Sequence, residues 1–236
     1  MSNTNIYDSY TINSPSLIKR FTHQVRYKTS VDLILKNAKR ILDYGTGSGR
    51  VLGLIAPLMP DTEIFGYEPF IEFVNQAKTL NEKNKNVKIV SDLGDLNDKK
   101  FETISCFEVF EHLTEELQLK IIEDVKMLLE PTGRFIVSVP IETGISSVLK
   151  NFTRWIIGAP HSRNFRDILK AAFNKPIKRN FKAGWVGSHV GFKTTDLEKL
   201  FVENGLEIEN IVYSPINILK SICNSQKFYI LRINTM

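Results

Sequence analysis

Three groups of residues in this chain have types and spacing suited to chemistry. The first is Asp43-Tyr44-Gly45-Thr46-Gly47-Ser48-Gly49-Arg50, an acid followed by alternating glycines. Glycines spaced this way let a backbone turn tightly and approach a ligand with no Cβ in the way. The second is Glu68, a lone carboxylate closing a short apolar run, placed to accept hydrogen bonds from vicinal hydroxyls such as those of a ribose. The third is Glu108-Val109-Phe110-Glu111-His112, which gathers two carboxylates and an imidazole within five positions. Such groups can move protons or hold a divalent metal.

The glycine loop excludes two common nucleotide sites. A dinucleotide fingerprint needs a third glycine where Arg50 stands, and a phosphate-binding P-loop needs a Gly-Lys-Ser/Thr ending that is absent. Dehydrogenase and NTPase readings fall away together.

The elements that must carry these groups alternate strand and helix. Lys39 to Asp43, Ile64 to Tyr67, Val87 to Val90, Thr103 to Phe107 and Arg134 to Val139 read as strands, the last nearly all apolar as a doubly covered parallel strand is. Helices are predicted over Val51 to Leu58, about Phe70 to Leu80 (with Phe70, Phe73, Val74 and Ala77 facing inward), and Thr114 to Leu129 with Thr114 as cap. Gly133 falls in the turn after the last of these. Downstream, Thr194 or Thr195 caps a helix ended by Gly205, and Leu206 to Val212 and Phe228 to Ile233 are two more strands. A helix start at Ser14-Pro15 opens an N-terminal helical cap over residues 1–37. This alternation implies right-handed crossovers and a mostly parallel sheet in one domain spanning residues 1–236.

The glycine loop resembles motif I of class I S-adenosylmethionine-dependent methyltransferases. Three more stretches carry the resemblance: Glu68, Ser91-Asp92-Leu93, and the run from Ile104 to Leu113. They are similar to a subgroup that includes ubiquinone-biosynthesis O-methyltransferases and many small-molecule and sugar methyltransferases. His189-Val190-Gly191-Phe192, Thr194-Thr195-Asp196-Leu197 and Asn204-Gly205-Leu206 resemble that subgroup's C-terminal pattern. The resemblance spans about residues 38–140 and 187–233. It implies an α/β, Rossmann-like, seven-stranded mostly parallel sheet with helices on both faces and an antiparallel last strand.

It also implies S-adenosylmethionine as cofactor, held by Asp43, Gly45, Thr46, Gly47, Gly49, Glu68, Asp92, Leu93 and Glu108. Asp92 would accept from the adenine amino group and Leu93 would pack on the ring, with Asp95 as the competing acid. Methyl transfer from a sulfonium is an in-line displacement, and a hydroxyl acceptor gains from a base. His112, just after the fourth strand, is the candidate catalytic residue. Small-RNA 3′-end methyltransferases carry a similar Glu-x-x-Glu-His run plus a distant histidine that together bind a divalent metal. On that less favoured reading Glu108, Glu111, His112 and His189, or His161 in its place, are the ligands.

Residues 141–190 interrupt the alternation. They hold Lys150, Arg154, Arg163, Arg166, Lys170, Lys175, Lys178, Arg179 and Lys182 against Glu142 and Asp167. Ile145, Val148, Leu149, Phe152, Trp155 and Ile156 recur at helical spacing among them. A basic amphipathic segment suits a lid over an anionic acceptor or a peripheral membrane contact. The whole chain is mildly basic, with net charge +5, which agrees with an anionic partner.

Favoured, then, is methylation of a small-molecule, sugar or lipid-linked hydroxyl. A nucleic-acid acceptor is disfavoured, because no RNA-binding module or Asn-Pro-Pro-Tyr-type motif is present. A non-catalytic cofactor-binding scaffold is the third reading. Two cysteines, Cys106 and Cys223, with no signal-like N-terminus and no membrane-length apolar run, lead to the expectation of a cytoplasmic protein, peripheral to a membrane at most.

Overall fold

The computed structural model describes residues 17–34, 37–141, 184–186, 191–215, 217 and 224–234, with side chains from residue 24 onward. The predicted helix start at Ser14-Pro15, nearly all of the basic stretch, Cys223, His161 and His189 lie outside these residues.

The elements run α1 (Leu17–Leu33), β1 (Arg40–Tyr44), α2 (Arg50–Ile55), β2 (Glu63–Tyr67), α3 (Ile71–Leu80), β3 (Val87–Val90) and β4 (Phe101–Phe107). Then follow α4 (Glu115–Leu128), β5 (Leu129–Pro140), α5 (Thr194–Glu203), β6 (Leu206–Ser214) and β7 (Gln226–Ile233). The seven strands form one sheet in the order β3-β2-β1-β4-β5-β7-β6. β7 is antiparallel to both its neighbours, and the pairings from β3 across to β5 are parallel. The expected Rossmann-like sheet is therefore present. Strand order reverses beside β1, where β2 and β4 flank it, and such a switch point opens a ligand crevice at the carboxyl ends.

Successive strand residues feed opposite faces of the sheet. Ile41, Ile64 and Ile136 join Ile34, Leu52 and Ile55 on the face covered by α1 and α2. Leu42, Phe65, Phe135 and Val137 join Ile122, Val125, Leu197 and Phe201 on the face covered by α4 and α5. Both faces are covered, so the central strands are mostly apolar, with Asp43, Thr103, Ser105 and Ser138 as buried polar exceptions.

Several local features differ from expectation, each for a physical reason. α2 stops at Ile55 and continues as a 3-10 turn, Ala56–Leu58, because Pro57 cannot donate the next helical hydrogen bond. Phe70 and Phe73 are 57% and 44% exposed rather than inward-facing. Phe70 is the extended N-cap residue, outside the helical register, and α3 packs through Val74 and Ala77 alone. Thr114 holds the N-cap position of α4, but its hydroxyl makes no capping bond. Lys193, not a threonine, is the N-cap of α5. β5 begins early because Leu129 already pairs with Phe101, and a register shift there takes Gly133 inside the strand. Gly205 does end α5, at φ +79°.

Candidate active site

β1 is buried from Ile41 to Tyr44 and delivers Asp43 to the carboxyl edge of the sheet. The chain then reverses through Gly45, Gly47 and Gly49, all left-handed at φ +74°, +56° and +75°. A side chain at Gly45 would strike Val109, and one at Gly49 would strike Ala77, so these two glycines serve close packing. Gly47 differs. A Cβ there would meet nothing within 4 Å, so its left-handed turn borders open space.

Two carboxylates hold the loop. Asp43 is buried and accepts from Thr46 Oγ1 at 2.8 Å and Ser105 Oγ at 2.7 Å. Burial raises its pKa from 3.8 to about 6, against the lowering effect of those two hydroxyls. Glu68, just past β2, accepts from Gly47 N–H at 2.9 Å through Oε2 and from Phe70 N–H at 3.1 Å through Oε1. Its pKa is also raised by burial, opposed by the same two N–H groups. Gly45 and Thr46 N–H both donate to the Tyr67 carbonyl, at 2.9 and 3.0 Å. Asp43 thus faces inward as an anchor of the loop, and Glu68 lies where β2 meets it.

After β3, Asp92 caps a 3-10 turn and accepts from Gly94 N–H at 2.8 Å, while Leu93 is half-buried against the core. Asp95 lies in the first turn of that 3-10 segment and is exposed.

At the end of β4 stands Glu108, a non-glycine residue at φ +58°. Strain of this kind persists where surroundings over-determine it. Glu108 N–H donates to the Ser138 carbonyl at 3.0 Å, and its carboxylate accepts from Ser138 Oγ, Gln226 Nε2 and, at 3.2 Å, Arg26 Nη1. Arg26 comes from α1, and the guanidinium carbons of Arg26 and Arg50 each lie 5.5 Å from the centroid of the neighbouring Tyr27 ring. Sequence reading missed Arg26, Ser138 and Gln226. No motif marks them, and they lie 82, 30 and 118 positions from Glu108.

Glu111 and His112 sit in the 3-10 turn Phe110–His112, braced by the Gln118 amide, which donates to the Phe110 carbonyl at 2.7 Å. His112 Nδ1 lies 2.7 Å from the Val186 carbonyl, so Nδ1 carries the proton in that bond. Its ring stacks on Trp185 at 4.4 Å, and Nε2 is 3.8 Å from Oε1 of the fully buried Glu111. Backbone bonds from Val186 N–H to the His112 carbonyl and from Thr114 N–H to the Gly184 carbonyl pin residues 184–186 beside it. Trp185 and Val186, also missed, fall at the end of the basic stretch, where no periodicity pointed to them. Among the described residues no three His, Cys, Asp or Glu side chains converge as metal ligands. Burial first, then the nearby Asp43 and Glu111 charges, raises the Cys106 pKa and leaves its thiol protonated and out of the chemistry.

A protein-family model described as a methyltransferase domain matches residues 18–211. The chain belongs to this methyltransferase family. Membership in it implies S-adenosylmethionine as the methyl donor. No curated protein matches the sequence. Solved structures share the fold. The PH0226 protein from Pyrococcus horikoshii OT3 aligns at TM-score 0.63 and 14% identity, covering 98% of this chain and 97% of that one. Magnesium protoporphyrin IX methyltransferase ChlM from Synechocystis PCC 6803, with bound SAH, aligns at 0.58 and 16%, covering 99% and 95%. Mitomycin 7-O-methyltransferase MmcR aligns at 0.61 and 13%, covering 92% of this chain but 55% of that one. This methyltransferase thus spans about half the length of MmcR.

The residues present fit such a donor. Gly47 borders space that a Cβ would enter, and the Glu68 carboxylate stands beside it at the switch point of the sheet. Among the described residues no helix is long and apolar enough to cross a membrane.

Proposed function

We propose that this methyltransferase methylates a hydroxyl on a small-molecule, sugar or lipid-linked acceptor, with His112 as the base. Bound S-adenosylmethionine supplies an electrophilic methyl group on a sulfonium, displaced in line. The chain's part is to hold the donor, present the acceptor oxygen and receive its proton. Glu68 takes the ribose hydroxyls, Asp92 the adenine edge and Leu93 its face. The Gly45–Gly49 turn lets the backbone approach.

The observation that carries the assignment of the base is the Nδ1 contact of His112 with the Val186 carbonyl. It fixes the tautomer and assigns proton acceptance to Nε2. Glu111, 3.8 Å from Nε2, favours the imidazolium that forms. Bound there, the donor would give its methyl group to the acceptor oxygen and keep the electron pair of the carbon–sulfur bond, while the chain's residues hold the acceptor and take its proton. The hydroxyl proton passes to Nε2. The nine basic residues in the sequence of 141–190 support an anionic or lipid-linked acceptor, at a membrane surface in the lipid-linked case.

A second reading, metal-assisted methylation at an RNA 3′ end, draws on the same buried Glu111 next to His112. Calorimetry with S-adenosylmethionine tests donor binding first, and silence there leaves a scaffold. A labelled-methyl screen then compares free, phosphorylated and lipid-linked hydroxyl compounds with RNA oligonucleotides. Label appearing only in RNA rejects the small-acceptor reading.

A further inference from the structure

A cluster of large apolar side chains left in water calls for a reason when the fold does not use it. Three stand together at the start of α3. Phe70 and Phe73 are exposed, and Ile71 between them is 63% exposed. The helix packs beside α2 through another face, where Val74 and Ala77 are buried and Asn81 Nδ2 donates to the Gly49 carbonyl at 2.9 Å. Polar residues at 70, 71 and 73 would serve that packing equally well. The turn follows β2 directly, so it stands at the carboxyl edge of the sheet, on the α2 side of the crevice.

Another exposed apolar side chain stands across the crevice. Trp185 bridges to Leu113 at the start of α4, which covers the opposite face of the sheet. It is 41% exposed, although its ring stacks on His112. Among the described residues the exposed aromatic side chains are Phe70, Phe73 and Trp185, and all of them stand at this edge. The exposed aliphatic ones, Leu54, Leu58, Leu80, Met127 and Val202, are spread toward the far ends of different helices. Scattered singly, they need no special account.

We propose that the carboxyl edge is a membrane-contact surface, with Phe70, Ile71, Phe73 and Trp185 entering the boundary between headgroups and acyl chains of an anionic bilayer. The inference deepens the lipid-linked form of the proposed acceptor and rests on that reading for its role in catalysis. Aromatic and large aliphatic side chains are the types that hold a protein at that boundary. Charge decides for lipid over a second copy of the chain. The sequence of 141–190 holds nine basic residues against two acidic ones. That stretch is described at Ile141, just past β5, and again at 184–186 beside His112, both at this edge. Anionic headgroups attract such a charge, whereas two copies meeting through the same edge bring like charges together. Glu72, the acid in the α3 turn, adds no attraction, so that turn contributes apolar contact alone. Docked this way, the crevice opens onto the bilayer, and a hydroxyl at the headgroup level reaches His112 without leaving the membrane.

Sedimentation of the full chain with vesicles tests this, using phosphatidylcholine alone and phosphatidylcholine with about one third phosphatidylglycerol. The anionic vesicles should capture the chain. Ile71→Ser combined with Phe73→Ser should weaken capture roughly 10- to 100-fold and leave S-adenosylmethionine affinity as it was. Both side chains are exposed, so the fold does not depend on them. Fluorescence gives a second measurement. The chain has two tryptophans, and Trp155→Phe leaves Trp185 as the only one. Its emission should shift to the blue on anionic vesicles and be quenched by brominated acyl chains. Absence of capture, undiminished capture of the double variant, or an unquenched Trp185 overturns the proposal. So does a dimer in lipid-free solution that the double variant dissociates, since the patch then joins two copies. A chain that sediments in this way but binds no S-adenosylmethionine keeps the surface and loses the methyltransferase reading. One that binds the donor but ignores vesicles loses this inference alone.

Discussion

Gly47 and Glu68 belong to successive strand–helix units and meet in one hydrogen bond, from the Gly47 N–H to Glu68 Oε2 at 2.9 Å. That bond couples the turn after β1 to the end of β2. The other oxygen of the same carboxylate accepts from Phe70 N–H, so one side chain sets the loop and the entry to α3 together. Glu68 is therefore both a proposed donor ligand and a structural tie.

The contrast between two glycines follows from this geometry. Both are left-handed, so alanine at either costs about 1–2 kcal/mol of backbone strain. At Gly49 the new Cβ also meets Ala77 at 2.9 Å and its Cα at 3.0 Å, which adds about 1–3 kcal/mol of overpacking. At Gly47 it meets nothing within 4 Å and enters the proposed donor cradle. Gly47→Ala should melt only about 2–8 °C below the natural chain, less than Gly49→Ala, yet bind the donor at least about tenfold more weakly. Gly49→Ala should instead show its main loss in thermal unfolding. The reverse ranking in the two measurements would place the donor elsewhere.

Asp43 gives a pH prediction with a definite sign. Its folded pKa of about 6 lies above the ordinary 3.8, so the native state binds this proton more tightly than the unfolded chain. The stabilisation is complete below about pH 4 and is lost as pH rises through about 6. The loss is on the order of 3 kcal/mol. Asp43→Asn cannot titrate. Urea unfolding at a series of pH values should show the variant gaining on the natural chain from pH 4 to 7, and a constant gap would mean Asp43 ionises normally.

What could be read in advance was local chemistry. Asp43 through Gly49, Glu68 and the run to His112 are short stretches whose residue types carry their own geometry. The alternation of apolar runs was enough for the parallel part of the sheet, whereas the antiparallel β7 came with the family resemblance. The Arg26–Glu108–Gln226 cluster was not legible, because only the folded sheet brings positions so far apart together. Periodicity put Phe70 and Phe73 inward since it reports a helical face, not where the helix begins. Likewise, composition cannot tell whether a threonine's hydroxyl caps a helix or, like that of Thr114, makes no capping bond from the N-cap position.

Metal dependence separates the two proposed chemistries. In the described structure the Glu108 carboxylate is occupied by Arg26, Ser138 and Gln226, and no metal-ligand set converges there. Methyl transfer should survive dialysis against EDTA with less than about a twofold change in kcat, a factor of two being well under 1 kcal/mol. Loss of activity that manganese or magnesium restores, together with an inactive Glu111→Ala, would instead favour the metal-assisted reading.

The histidine prediction depends on which nitrogen does what. Asn at position 112 can keep a donor to the Val186 carbonyl, replacing the 2.7 Å bond of Nδ1, but has no basic nitrogen to take a proton. Removing a general base typically costs about 10²- to 10⁴-fold in rate. His112→Asn should therefore lose that much kcat once an acceptor is in hand, while S-adenosylmethionine affinity stays where it was. Gln118→Met gives the complementary case. It keeps the imidazole but removes the amide that bonds the Phe110 carbonyl at 2.7 Å and holds the turn. A base that works by position should lose rate in this variant too, by less than in His112→Asn. The acid limb of the pH–rate profile should persist in Gln118→Met and vanish in His112→Asn, because only the first retains the titrating ring. Should His112→Asn keep the limb, another group removes the proton, and the histidine merely packs on Trp185.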